Sequence, residues 1–308
     1  MSEPLYILGA GSLGLLWAAR LARAGIDCRL ILRSAQAAES WHARNNVILL
    51  EEQGRVSEFS VPGELAHTSQ HPIHRLVVAT KAWAVAEALE SLAPRLQPHS
   101  QLLLLQNGLG SQQAVSQRFP SQRALYASVT EGAWKPAANH VVWAGRGQTL
   151  IGDPQQRPAP GWLRLLTRAG IDWQWQPDIL SVLWLKLAIN CAINPISALH
   201  DCLNGEVPDR AGASFELLLS ELHALLNSQG VALALADLRQ RVFDVIRSTA
   251  SNSSSMRQDL HAGRRTEIDF ILGHACRTAR RAGLATPVLD SWYHQLQTHL
   301  AERGLAQD

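Results

Sequence analysis

Cysteine is scarce in this sequence: Cys28, Cys191, Cys202 and Cys276 are the full set, and no two form a C-x-x-C pair. With no histidine cluster at ligand spacing either, neither a metal site nor a disulfide scaffold is expected. Low cysteine in a chain of this length points to a reducing, cytoplasmic setting. An excess of one charge is also missing. Lys plus Arg number 28 against 26 for Asp plus Glu, without dense basic runs. That gives no basis for binding nucleic acid or an anionic membrane surface. No uninterrupted run of eighteen apolar residues exists, so no transmembrane helix is expected. The N-terminus lacks a basic region and carries Glu3, and Gly9, Gly11 and Gly14 break its apolar stretch. It reads as a first strand rather than a signal peptide. No internal repeat is present, and low complexity is confined to Ser251–Ser255, where Ser or Asn can cap a following helix.

What is present is a globular balance, 46% apolar and 18% charged, over 308 residues. That length suits two domains. Leu5–Leu8 is a short apolar run followed at once by glycines, as in a buried parallel strand. Leu15–Ala24 is rich in helix formers and ends at Gly25, and Cys28–Leu32 is a second strand. Together they have the size of one βαβ unit. Further strands are expected at Val47–Leu50, Val56–Val61, Leu76–Ala79, Leu102–Leu105 and Val141–Trp143, with a helix over Ala84–Ala93. From Gly161 onward helices dominate, over Ile179–Asn194, Ser214–Gln229, Ala236–Ala250 and Glu267–Ala282. The expected fold is α/β: a Rossmann-type doubly wound sheet over 1–177, then an all-α domain over 178–308.

The loop Gly9-Ala10-Gly11-Ser12-Leu13-Gly14 has the G-x-G-x-x-G pattern directly after a strand and directly before a helix. In that context the first glycine allows a tight turn, the second lets backbone approach a pyrophosphate, and the third lets helix and strand pack closely. The pyrophosphate would rest on the N–H groups at the helix N-terminus. At the end of the second strand an NAD enzyme usually places Asp or Glu to hold the ribose 2′-OH. This sequence has Arg33, nineteen residues past Gly14. A guanidinium can bind a 2′-phosphate that an acid would repel, so NADP(H) is the expected cofactor. The alternative is that Arg33 is a solvated surface residue.

Lys186, Asn190 and Asn194 are spaced by four and four among apolar neighbours, which puts them on one helix face. Either they line a polar cleft, where a desolvated lysine can act as acid or base, or they form the wet stripe of an amphipathic helix. Spacing does not choose between these. Glu267 and Asp269 follow Arg264-Arg265, a pattern that is usually structural at a helix start.

The sequence resembles the ketopantoate reductase (2-dehydropantoate 2-reductase) family over nearly its whole length. The resemblance rests on the glycine loop, on Thr80-Lys81-Ala82-Trp83, and on Asn107-Gly108-Leu109-Gly110. It continues through Trp184-x-Lys186-x-x-x-Asn190-x-x-x-Asn194-Pro195 and Asn204-Gly205-Glu206. Asn252-x-Ser254-Ser255-Met256-x-Gln258-Asp259 and Thr266-Glu267-Ile268-Asp269 complete it. It implies reduction of ketopantoate (2-dehydropantoate) to (R)-pantoate with NADPH, in a cleft between the two domains, as a step towards pantothenate and coenzyme A. Lys186 is then the general acid, and Glu267 accepts a hydrogen bond from the substrate hydroxyl. Asn107 touches cofactor and substrate, and Lys81 lies near the cofactor. Asn190, Asn194, Asn204 and Asn252 line the substrate pocket, and Ser255 holds the carboxylate. One departure is Gln106, where relatives often have His; glutamine cannot titrate near neutral pH. Another keto acid is the alternative substrate. A non-catalytic NADP sensor would have no reason to keep Lys186, Glu267 and the asparagines together. The ten tryptophans suggest no site beyond those motifs, and the sequence leaves a homodimer open.

Overall fold

The computed structural model describes residues 3–308 and divides them into two compact units. The first comprises residues up to 106 and 111–179, and the second comprises 107–110 and 180–308. The short segment 107–110 therefore packs with the helical unit, although in chain order it lies inside the sheet-bearing one.

In chain order the first unit holds β1 (Leu5–Leu8), α1 (Ser12–Arg23), β2 (Cys28–Leu32), α2 (Ala35–His42), β3 (Val47–Glu52) and β4 (Arg55–Ser60). Then come β5 (Gly63–Leu65), β6 (Ile73–Val78), α3 (Val85–Glu90), β7 (Leu96–Leu104), α4 (Ser111–Arg118) and β8 (Arg123–Val129). It closes with β9 (Gly132–Ala137), β10 (His140–Gly145), β11 (Thr149–Gly152), α5 (Arg164–Arg168) and β12 (Trp173–Trp175). The main sheet has eight strands in the order β12-β11-β8-β7-β6-β1-β2-β5. From β5 to β8 all pairings are parallel, and β11 is antiparallel to β8. The chain winds outward in one direction from β1 through β2 and in the other from β6 through β8. The switch point therefore falls between β1 and β6, where an open α/β sheet binds its ligand at the strands' carboxyl ends.

The strands expected at Val47–Leu50 and Val56–Val61 form the hairpin β3–β4, but it does not join the main sheet. It forms a separate four-stranded sheet, β4-β3-β10-β9. Helix α1 packs against strands of both sheets, which accounts for its composition. Its residues from Gly14 to Leu21 are all buried. A helix apolar all round needs protein on every side. The one charge within that stretch, Arg20, is 1% exposed and pairs with Glu131.

The second unit is helical: α6 (Ile179–Leu199), α7 (Val207–Ala211), α8 (Ser214–Ser228), α9 (Leu235–Ser248), α10 (Ser255–His261), α11 (His274–Arg281) and α12 (Pro287–Glu302). Periodicity placed the end of the first of these at Asn194, before Pro195. Helix α6 instead runs through the proline to Leu199. An interior proline costs about 3 kcal/mol of helix propensity. Burial of every residue from Cys191 to Ala198 outweighs it. By length and composition α6 could cross a membrane, but more than half of its apolar window is buried inside the protein. The helix expected from Glu267 starts one residue later, and its first stretch, Asp269–Gly273, is a π-helical turn that leads into α11. Helical periodicity alone does not reveal such a widening.

Candidate functional site

In the first unit the glycine loop joins β1 to α1, at the carboxyl end of β1 beside that of β6. The three glycines have different physical causes. Gly9 has φ +107°, which side-chain-bearing residues rarely adopt. A Cβ on Gly14 would overlap the carbonyl oxygen of Gly9. Gly11 is different: a Cβ there would meet only the carbonyl oxygen of Ala79, at 3.7 Å, an ordinary contact. Nothing among the described residues crowds a side chain at 11, so the bare backbone there fits the close approach of a ligand. The N-terminus of α1 has no side-chain cap and no acid in its first turn. Those N–H groups suit an anion. The residues present therefore fit a dinucleotide pyrophosphate. Gly11→Ala is expected to leave the melting temperature of the cofactor-free protein near wild type while weakening cofactor binding at least tenfold, as scanning calorimetry and titration would show. Gly14→Ala is expected to lower both.

Two cationic side chains flank this loop. Arg33 is exposed at the end of β2, the strand paired with β1, and forms no ion pair among the described residues. Ser34 behind it caps α2 by accepting from the Ala37 N–H at 3.2 Å. Lys135 was not singled out in the sequence. From β9 its Nζ donates to the carbonyl of Ala10 in the glycine loop at 3.0 Å and to that of Ala138 at 3.2 Å. No local pattern marks it, because the second sheet delivers it from far along the chain. Lys81 follows β6, half-buried, at the start of a single 3-10 turn. Gln106 braces the same place. Its Nε2 donates to the carbonyls of Val78 at 2.8 Å and Thr80 at 3.1 Å. That is a structural use of glutamine, which needs no titrating group.

In the second unit, Lys186, Glu267 and Asn107 come together. Lys186 sits on α6 and donates to Asn107 Oδ1 at 3.1 Å. It keeps some accessible surface, yet protein surrounds it closely enough to lower its ammonium pKa from 10.5 to about 8. Desolvation drives the shift, and the Glu267 carboxylate opposes it. Glu267 is 5% exposed, just ahead of the π-helical turn. This settles the question that spacing left open: the Lys186 face of α6 is not a solvated stripe, since Asn194 is only 7% exposed and Asn190 is half-buried.

The remaining sequence candidates form a second group. Asn204 is 8% exposed, and its Nδ2 donates to Thr249 Oγ1 at 3.1 Å while its Oδ1 is buried without a partner. Its backbone N–H donates to the Asn252 carbonyl at 3.0 Å, and the Asn252 residue itself is exposed. Ser254, not Ser255, caps α10, accepting from the Arg257 N–H at 3.1 Å. Ser255 is the exposed first residue of that helix. Ser197 on α6 connects this group to the first. Its Oγ bonds Ser254 Oγ at 2.6 Å and donates to the Asn194 carbonyl at 3.0 Å. Sequence reading missed Ser197 and Thr249 because a buried serine or threonine on a helix carries no distinguishing spacing.

Comparison with known proteins gives a consistent result. Residues 5–156 match the family model described as ketopantoate reductase PanE/ApbA, and residues 178–299 match its C-terminal counterpart. The chain is 35% identical over 297 residues to a 2-dehydropantoate 2-reductase of Vibrio cholerae, covering 96% of this chain and 97% of that one. Among solved structures, a PanE/ApbA family ketopantoate reductase from Ralstonia eutropha JMP134 superposes with a TM-score of 0.87 at 24% identity, over 98% of this chain and all of that one. A D-mandelate dehydrogenase determined with NADH and anilino(oxo)acetate superposes with a TM-score of 0.88 at 18% identity, over 99% of this chain and all of that one. At those identities the two structures speak to the fold.

Proposed function

Because the chain belongs to the ketopantoate reductase family and is an oxidoreductase, we propose that it reduces 2-dehydropantoate to (R)-pantoate with NADPH, a step towards pantothenate and coenzyme A. The observation that carries this reading is the Lys186 ammonium, bonded to Asn107 Oδ1, with its pKa lowered by burial to about 8 against the opposing effect of Glu267. An acid of that strength is substantially protonated near neutral pH yet gives up its proton readily. The hydride is what the nicotinamide supplies when bound. As negative charge develops on the substrate's keto oxygen, Lys186 stabilises it and transfers a proton to it. Glu267 accepts a hydrogen bond from the substrate hydroxyl and orients it. Asn190, Asn194, Asn204 and Asn252 meet the other polar groups of the substrate, and Ser255 its carboxylate. The unpartnered Asn204 Oδ1 supports that assignment, since a buried acceptor without a donor is costly unless a ligand supplies one.

The dinucleotide is held by the loop from Gly9 through Ala10, Gly11, Ser12 and Leu13 to Gly14, with Lys81 and Asn107 nearer its reactive end. Arg33 takes the 2′-phosphate. The exposed, unpaired guanidinium at the end of β2, where an NAD enzyme would carry an acid, supports NADPH over NADH. The direct test is NADPH oxidation with 2-dehydropantoate beside a panel of other small 2-keto acids. A preference in kcat/KM for any other member would reassign the substrate. Arg33→Asp is expected to raise the KM for NADPH at least tenfold while changing that for NADH little. Equal losses for both would remove Arg33 from the 2′-phosphate.

A further inference from the structure

The segment 107–110 interrupts the first unit in sequence and packs with the second. Its attachment is specific. The Leu109 N–H donates to the Phe270 carbonyl at 2.8 Å, a bond from a donor outside the helix to a residue of the π-helical turn. A Cβ on Gly108 would overlap that same carbonyl. A Cβ on Gly110 would lie 2.9 Å from Nδ1 of His274. His274 is buried, the first residue of α11, and its ring packs on Trp184 of α6 with centroids 5.4 Å apart. Two residues of chain reach at most about 7 Å, so a bond at Leu109 fixes Asn107 closely. The turn that receives the bond is also the one that Glu267 begins, for the Phe270 N–H donates to the Glu267 carbonyl at 3.1 Å.

We propose that Phe270, through its backbone carbonyl, and His274, through its ring, are positioning residues that hold the 107–110 segment so that Asn107 Oδ1 stays on the Lys186 ammonium. Asn107 and Glu267 are thereby referred to one turn of one helix, and Lys186 to the Trp184 segment that His274 stacks on. The segment is Gly-Leu-Gly after Asn107: both glycines have positive φ, +77° and +101°, and each also leaves room for one part of the clamp. His274 does not contribute a charge. Burial and the nearby Arg277 and Arg281 push its pKa down to about 4, against the weaker opposing effect of Asp269. It is neutral wherever Lys186 titrates, so losing it removes a contact and not a charge.

The proposal gains its catalytic weight from the reading of Lys186 as the acid, but its test does not need a substrate. The Lys186 midpoint is read by lysine side-chain NMR in the full-length free protein, for wild type, Asn107→Ala, Gly108→Ala, His274→Ala and the doubles with Asn107→Ala. An acceptor on an ammonium favours its charged form. Asn107→Ala should therefore lower the midpoint, by about one pH unit if the bond has the strength usual for a charged donor. Folded Gly108→Ala should lower it by a similar amount and His274→Ala by less, and neither should lower it further on the Asn107→Ala background. A wild-type midpoint in both single variants, or effects that add in the doubles, would overturn the proposal. Should Gly108→Ala fail to fold, the His274→Ala pair decides by the same criteria. Amide exchange at Leu109 gives a second readout: slow in wild type and faster in His274→Ala, with unchanged exchange counting against the clamp. A protein that passes these tests but turns over a different keto acid would contradict the substrate assignment alone.

Discussion

Lys186→Ala is expected to lower kcat for keto-acid reduction by a factor of about 10² to 10⁴, the usual worth of a positioned general acid. Cofactor affinity should stay near wild type, because Lys186 sits on α6 in the second unit while the glycine loop lies in the first. Stopped-flow turnover with NADPH, alongside fluorescence titration of the cofactor, separates the two effects. Near-normal turnover would remove Lys186 as the acid. The wild-type pH profile carries a matching prediction. With Lys186 as the proposed acid, reduction needs its protonated form, so the rate should fall as pH rises through about 8, where desolvation has placed the ammonium. Oxidation of the hydroxy acid requires the neutral amine, so the reverse reaction should rise through the same range. A reduction rate still undiminished at pH 10 would contradict the shifted lysine. Glu267→Gln removes the charge that opposes the shift, so its reduction limb should move to lower pH.

The largest effect on stability is expected at Glu131, in the first unit. Its carboxylate and the Arg20 guanidinium are each 1% exposed and bonded to one another. Trp17 Nε1 donates to Glu131 Oε2 at 3.0 Å, and Arg20 also bonds the Gly170 carbonyl. The Arg20 guanidinium lies 4.2 Å from the centre of the Trp143 ring. The cluster joins α1 to the second sheet and to the turn after α5. Burial lowers the guanidinium's hold on its proton, and Glu131 counters that. Glu131→Ala would leave a buried cation without its counter-charge, a change that costs about 3–5 kcal/mol. At about 2–4 °C per kcal/mol for a unit of this size, the melting temperature should fall by roughly 6–20 °C. Arg20→Met with Glu131→Leu, which removes both charges, should recover most of the loss. A single substitution that melts within a degree of wild type would show that the pair is dispensable.

Some of this was legible along the chain. Leu5–Leu8, the glycine loop and Cys28–Leu32 are contiguous, and each step obeys a local rule: an apolar run, a turn only glycine fits, a helix, a second apolar run. The common face of Lys186, Asn190 and Asn194 is equally local, since a helix of 3.6 residues per turn aligns positions four apart. Other features were not readable. The hairpin β3–β4 was expected as strands, but nothing local said that it would leave the main sheet, pair through β3 with β10, and pack on α1. Pro195 marked an end that burial overrode. Glu267 looked like an ordinary acid at a helix start, and only packing gave it a lysine to act on.

The sequence by itself thus determined the βαβ opening, the glycine loop and the polar face of α6, because those depend on backbone conformation and periodicity within a few residues. Tertiary structure decided which distant residues meet: Lys135 with the glycine loop, Arg20 with Glu131, Ser197 with Ser254, and Asn107 with Lys186 through a clamp on Phe270 and His274. Such meetings follow from the packing of elements far apart in the chain, and no residue's immediate neighbours encode them.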